Sequence, residues 1–228
     1  MRNADDTNKP AAPLPPNAGA WGPPTKGEPL PHDAILQPDG GFWVFAYGSL
    51  IWNPEIEVAE RRPAALPGYR RSFCLWSVHY RGTRERPGLI LGLEEAEGAV
   101  TKGQALRVAP EHAKAAHEAL IERELFLATY KETLLPAQIL CETTGGPTGR
   151  QTVLAYVVDK SHEQYAGTLS PEEKCAVIAC AHGSRGPNAE YLFNLVEMLR
   201  AQGLSAEELS NLERLDAGVK ALLGDGAA

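Results

Sequence analysis

The chain has 228 residues, 43% of them hydrophobic, with a formal net charge of −7 and an isoelectric point near 5.4. That length buries a substantial core in one domain of about 180 residues. The acidic balance argues against nucleic acid as a partner, since Arg61-Arg62 and Arg70-Arg71, the densest basic cluster, are interrupted by Pro63, Pro67 and Gly68.

No apolar run approaches ~18 residues, so no membrane partner is expected, and the N-terminus lacks the apolar stretch of a secretory signal. Cys74, Cys141, Cys175 and Cys180 are far apart with no C-x-x-C pair. That spacing suits buried thiols in a reduced, cytoplasmic setting better than a disulfide framework or a zinc site.

Half of the 18 prolines fall before residue 40, among Asn, Asp, Lys and Gly and without hydrophobic period. Residues 1–39 are expected to be a disordered proline-rich tail, and 40–228 the folded domain. Strands are expected over Phe42 to Tyr47, Arg71 to Val78, Leu89 to Glu94 and Gly103 to Val108. Gln138 to Glu142 and Val153 to Val158 add two more, with Gly145-Gly146-Pro147 turning between them.

One helix is expected just past Pro110, running to about Leu127. A second has Ser170 as N-cap, Pro171 in its first position and Glu173 completing a capping box. A third runs from near Pro187 to before Gly203, and a fourth from a Ser205 cap with Glu208 to before Gly224. Mostly antiparallel strands, one internal helix and a helical C-terminal third make an α+β class.

Chemistry concentrates in three places. Phe42 to Phe45 read as a buried strand that runs into Tyr47-Gly48-Ser49-Leu50, a turn whose free backbone N–H groups suit a small anion such as a carboxylate; an ordinary hairpin end reads the same way. On the helix past Pro110, Ala113, Ala116, Leu120 and Leu127 form an apolar stripe, with Glu111, Lys114, Glu118 and Glu122 opposite. Glu124 lies about 40° from Leu120, inside that stripe. Burial there either raises its pKa for acid/base work or sets it against an arginine from a strand. His117, on the same edge, reads as a packed, hydrogen-bonded histidine.

The third place is Ser184 to Tyr191, where Asn188 is a ligand contact or a helix cap and Tyr191, like Tyr165, a candidate pocket hydroxyl. Arg81 either clamps a carboxylate or pairs with Glu85. Gly98 and Gly103 have phosphate-loop spacing, but Gln104-Ala105 stand where Lys and Ser/Thr are needed. His112 and His117 are five apart and no H-E-x-x-H exists, so no metal and no cofactor is expected.

Phe45 to Trp52, Leu66-Pro67-Gly68-Tyr69-Arg70-Arg71, His79 to Thr83, Arg86 to Leu89, Glu122-Arg123-Glu124, Tyr165-Ala166-Gly167 and Gly183 to Leu192 closely resemble the ChaC family of glutathione-specific γ-glutamylcyclotransferases, in order, over nearly all of residues 42–200. The resemblance implies a small closed β-barrel with flanking helices. It also implies that Tyr47, Gly48, Ser49 and Leu50 hold a γ-glutamyl group through backbone amides, with Glu124 as the acid/base. Ala46 stands where relatives often have Gly, and Leu125-Phe126-Leu127 differs from the glycines of some eukaryotic relatives.

The activity so implied is cyclisation of glutathione to 5-oxoproline and cysteinylglycine. Two rivals stay open: a cyclotransferase for other γ-glutamyl amides or dipeptides, and a non-catalytic regulator that binds a small metabolite.

Overall fold

Five consecutive residues of strand β1 (Phe42–Ala46) are all buried, which is why the segment reads as a continuous apolar run rather than an alternation. The structure is a computed structural model, and it describes residues 12–15, 21, 25–205 and 209–224. The chain divides into two compact units, one of Met1–Trp21, Phe73–Leu91 and Ala166–Ala228, the other of Gly22–Ser72 and Gly92–Tyr165.

The second unit is built on β1 with β2 (Glu60–Ser77), β3 (Gly88–Val108), β4 (Tyr130–Leu140) and β5 (Pro147–Val158), of which β2 and β3 extend into the first unit. Strand order is β1-β3-β2-β4-β5, and the sheet closes on itself. β1 pairs antiparallel with β3 from Phe42 opposite Val108 to Ala46 opposite Gln104, and β4 runs antiparallel to β5 along its whole length. Val44 pairs parallel with Leu154, and Leu93 parallel with Val157.

The sheet is therefore mixed, a correction to the mostly antiparallel arrangement expected. A closed ring of five strands has a physical reason to be so, because an odd number cannot alternate direction all the way round. Phe42, Val44, Phe45, Leu93, Leu106 and Leu154, each at most 1% exposed, form its core. Each such side chain contributes about 1.5–3 kcal/mol through apolar burial.

The two strands expected over residues 89–94 and 103–108 are one continuous β3, and β4 begins eight residues before Gln138, at Tyr130. Pro136 inside β4 and the charged residues in the middle of β3 hid that continuity. The turn at Gly145-Gly146 is present, with Gly145 at φ 67° and bonded to the Cys141 carbonyl. The helix past Pro110 opens with a 3₁₀ turn and continues as α2 (Ala113–Glu124), which ends three residues short of Leu127.

The first unit carries α3 (Pro171–Cys180), the two-stranded β6 (His182–Gly183) and β7 (Gly186–Pro187), α4 (Asn188–Ala201) and α5 (Ser210–Leu223). The Ser170–Glu173 capping box closes in both directions. Gly218 of α5 lies so near Cys175 of α3 that a Cβ would sit 2.5 Å from its sulfur, so any larger residue there forces the Cys175 thiol to move. The expected fourth helix starts later, at Ser210, and Glu208 of its expected cap lies outside the described residues.

Parts of the expected tail, residues 1–11, 16–20 and 22–24, also lie outside the described residues. From Thr25 onward the described chain is bound to the second unit, which moves the boundary back from Gly40. Ala128 N–H donates to the Thr25 carbonyl (2.8 Å), and Gly27 N–H to the Leu125 carbonyl (2.9 Å). Leu30 N–H donates to Glu132 Oε2 at 2.8 Å, and the short helix α1 (His32–Ile35) buries Ile35. These are mostly main-chain bonds, which a proline-rich sequence makes without hydrophobic period.

Replacing Leu30 with Pro deletes the N–H that faces Glu132, a carboxylate whose side chain is 0% exposed. An unmet hydrogen bond at a buried charge costs about 1–3 kcal/mol, a fall in Tm of roughly 3–10 °C for a chain of this size. Leu30→Ala, which keeps the N–H, should melt within about 2 °C of the parent by calorimetry.

Candidate active site

β1 delivers the chain into Tyr47-Gly48 and then a 3₁₀ turn over Ser49–Ile51. Within the turn, Ile51 N–H donates to Gly48, and the N–H groups of Trp52 and Asn53 both to the Ser49 carbonyl. That leaves the N–H groups of Ser49 and Leu50, the first two residues of the turn, outside its internal bonding, as at any helix start. The Tyr47 hydroxyl donates to the Tyr156 carbonyl at 3.0 Å, fixing the near end of the loop to β5.

Glu124 is the last residue of α2. Its helix buries Ala113, Ala116, His117 and Leu120, while Glu111, Lys114, Glu118 and Glu122 are exposed. The Glu124 side chain keeps 18% of its surface open, so its carboxyl sits among protein atoms yet is reachable. Burial pushes its pKa up, the Arg123 guanidinium pulls it down, Glu55 adds to the rise, and the net direction is upward.

The arginine beside Glu124 is its own neighbour, not one from a strand. Arg123 Nε lies 3.0 Å from Glu124 Oε1. Its Nη2 donates to Ser49 Oγ at 2.9 Å and its Nη1 to the Asn53 carbonyl at 2.6 Å. One guanidinium therefore spans the carboxylate and the loop. Adjacent helical residues point about 100° apart, so the sequence offered no signal for this pair; it forms because the helix stops at Leu125, whose N–H caps Ile121.

Tyr156 and Glu132 were also missed. The Tyr156 hydroxyl donates to Glu132 Oε1 at 2.9 Å, and His117 Nε2 lies 3.2 Å from both Glu132 oxygens, with its Nδ1 3.2 Å from His32 Nδ1. His117 is thus the packed, bonded histidine expected. Burial raises the Tyr156 pKa well above the usual phenol value, with Glu132, Glu124 and Tyr47 adding to it. Tyr165 is likewise committed, its hydroxyl donating to Glu94 at 2.7 Å.

Tyr47, Gly48, Ser49, Leu50 and Glu124 lie together in the second unit, whereas Arg81, Asn188 and Tyr191 belong to the first. There the Arg81 guanidinium lies over the Tyr191 ring, 5.2 Å from its centre, and donates to the Pro187 carbonyl at 3.2 Å. Asn188 is fully buried and does not cap its own helix. Its Oδ1 accepts from Leu89 N–H at 2.6 Å and its Nδ2 donates to the Leu89 carbonyl at 2.7 Å. Among the described residues no group of three or more His, Cys, Asp or Glu is placed to hold a metal ion, and no helix is long and apolar enough to cross a membrane.

Residues 42–222 match the family model described as ChaC-like protein. The chain belongs to the ChaC family. The glutathione-specific gamma-glutamylcyclotransferase of Escherichia coli is 32% identical over 193 residues, covering 84% of this chain and 80% of that one. The human glutathione-specific gamma-glutamylcyclotransferase 1 is also 32% identical, over 82% and 83% of the two chains. A crystal structure of the yeast gamma-glutamylcyclotransferase specific to glutathione superposes with a TM-score of 0.71 at 24% identity, over 83% of this chain and 100% of that one; it establishes the ChaC chain's fold as that of a γ-glutamylcyclotransferase.

In Asn188→Ala, the Leu89 N–H and carbonyl both lose their buried partner. At about 1–3 kcal/mol for each unmet group, Tm should fall by several degrees or more. KM of the folded fraction should stay within about twofold of the parent; a large rise in KM at parental Tm would instead establish Asn188 as a ligand contact.

Proposed function

We propose that this ChaC-family protein is an enzyme that cyclises the γ-glutamyl group of glutathione, releasing 5-oxoproline and cysteinylglycine. Its similarity to glutathione-specific cyclotransferases over more than four-fifths of the chain supports the activity. We read the closed five-stranded sheet as the small β-barrel of that family. The observation that carries the site assignment is one guanidinium, Arg123, that binds both the Glu124 carboxylate and the loop hydroxyl of Ser49.

The chemistry asks little of the protein. The α-amine of a γ-glutamyl amide reaches its own δ-carbonyl in a five-membered closure, so no protein nucleophile and no water enters the reaction. The nitrogen–carbon bond of the lactam forms, the amide bond to the cysteinyl nitrogen breaks, and two protons leave the α-ammonium, one before attack and one as the tetrahedral adduct collapses, so that the cysteinyl nitrogen departs as an ammonium. Glu124 takes each proton in turn and passes it to the leaving nitrogen. A carboxyl with a raised pKa is better matched to this exchange near neutral pH than an ordinary one. Tyr47 to Leu50 hold the γ-glutamyl end through the Ser49 and Leu50 N–H groups.

Orientation lowers the barrier most, since intramolecular attack in a near-attack geometry contributes on the order of 7 kcal/mol or more. The base adds roughly 10²- to 10⁴-fold.

Glu124→Gln keeps size and hydrogen-bonding reach but cannot accept a proton. It should fold, bind glutathione and lose 5-oxoproline release by roughly 10²-fold or more, while Glu122→Gln, on the exposed face, behaves like the parent. Parental turnover by Glu124→Gln overturns the base assignment. Release of 5-oxoproline from γ-glutamyl-alanine at a rate matching that from glutathione would favour the broader γ-glutamyl substrate class.

A further inference from the structure

Glu55 is the one non-glycine residue with positive φ among the described residues, at 55°, a conformation that costs an L-residue with a long side chain energy and persists only where surroundings hold it. Its surroundings do. Asn53 Nδ2 donates to Glu55 Oε1 at 2.9 Å, and Glu55 Oε2 lies 3.3 Å from Arg123 Nη1. The same guanidinium meets Glu124 through Nε at 3.0 Å. Two carboxylates thus flank a single positive charge.

We propose that Glu55 is a positioning residue of the site, clamped by Asn53 and Arg123 so that its charge competes for the guanidinium and governs how readily Glu124 holds a proton. The inference rests on Glu124 being the base. One guanidinium cannot neutralise two carboxylates, so a proton on Glu124 relieves the excess negative charge, as in any closely spaced acidic pair. The groups facing Glu124 are Arg123 from its own helix, Glu55 from the loop before β2, and Tyr156 from β5, whose hydroxyl is given to Glu132. Of these, Glu55 alone is a carboxylate open to solvent, with 61% of its side chain exposed, so its influence is also open to screening by salt.

Glu55 raises the Glu124 pKa; removing its charge lowers that pKa, and Glu124 becomes free to act as base at lower pH. The acid limb of the kcat/KM profile therefore moves down.

The test measures kcat/KM for 5-oxoproline release from glutathione against pH in the parent, Glu55→Gln and Glu55→Gly. Gln keeps the bonding to Asn53 without the charge, and Gly accepts the positive φ without strain. In both variants the variant-to-parent ratio on the acid limb should exceed the same ratio on the plateau about twofold, and the excess should vanish at about 0.5 M NaCl, where the Debye length is only a few ångströms. An unmoved limb in either variant, or a displacement that salt leaves intact, overturns the proposal. Glu124→Gln in the same assay separates the two readings: its inactivity alongside an unmoved limb removes only the role of Glu55, whereas its full activity removes the base assignment and this inference with it.

Discussion

A single guanidinium ties together the end of α2, where the proposed base lies, and the loop after β1. Arg123 reaches the end of its own helix, the side chain and backbone of the loop after β1, and an exposed carboxylate beyond it. Arginine alone has the donor count and fixed fork for so many partners. Without it the Ser49 hydroxyl and the Glu124 carboxyl would be placed by two separate elements with no direct bond between them. The sheet fixes where β1 ends and α2 stops where Leu125 is buried, so both partners arrive within the reach of one side chain.

The partly and fully buried carboxylates of the second unit show why Glu124 differs in kind from its neighbours. Glu94 is 2% exposed; burial pushes its pKa up, but Tyr165, Ser72 and Arg70 donate to it and together bring it below the usual value. Glu132 receives Leu30 N–H and the Tyr156 hydroxyl with His117 against both its oxygens. Each is surrounded by donors and so held in one role. Glu124 has one arginine, shared with a second carboxylate, and an opening to solvent. A carboxylate saturated with donors is a poor proton acceptor, and one with a raised pKa and access is a useful one.

That contrast was only partly legible in the sequence. The helical period placed Glu124 inside the apolar stripe and Glu122 outside it, because a period survives in any amphipathic helix. The buried run of β1 and the capping box at Ser170 were legible for the same local reason. Glu94 and Glu132 carried no such mark, since their partners come from residues 15 to 102 positions away. Arg123 was visible as part of the Glu122-Arg123-Glu124 stretch but not as a bridge, because its partners depend on where the helix ends. The order of residues 25–39 escaped for a different cause: the segment is held by partners far away in sequence, among them Leu125, Glu132, His117 and Gln151, which composition does not report. Asn188 read as a ligand contact or a helix cap because an amide at a helix start suggests either, and its bonds to Leu89, ninety-nine positions away, carried no mark in the sequence.

The same segment meets the stretch that follows Glu124, Leu125-Phe126-Leu127. Leu125 is fully buried, its carbonyl accepts the Gly27 N–H, and a Cβ on Gly27 would stand 3.2 Å from its side chain. The apolar side chain is therefore packed against the N-terminal segment. Residues 25–27 and Leu125 thus pack together at the end of α2, next to Glu124.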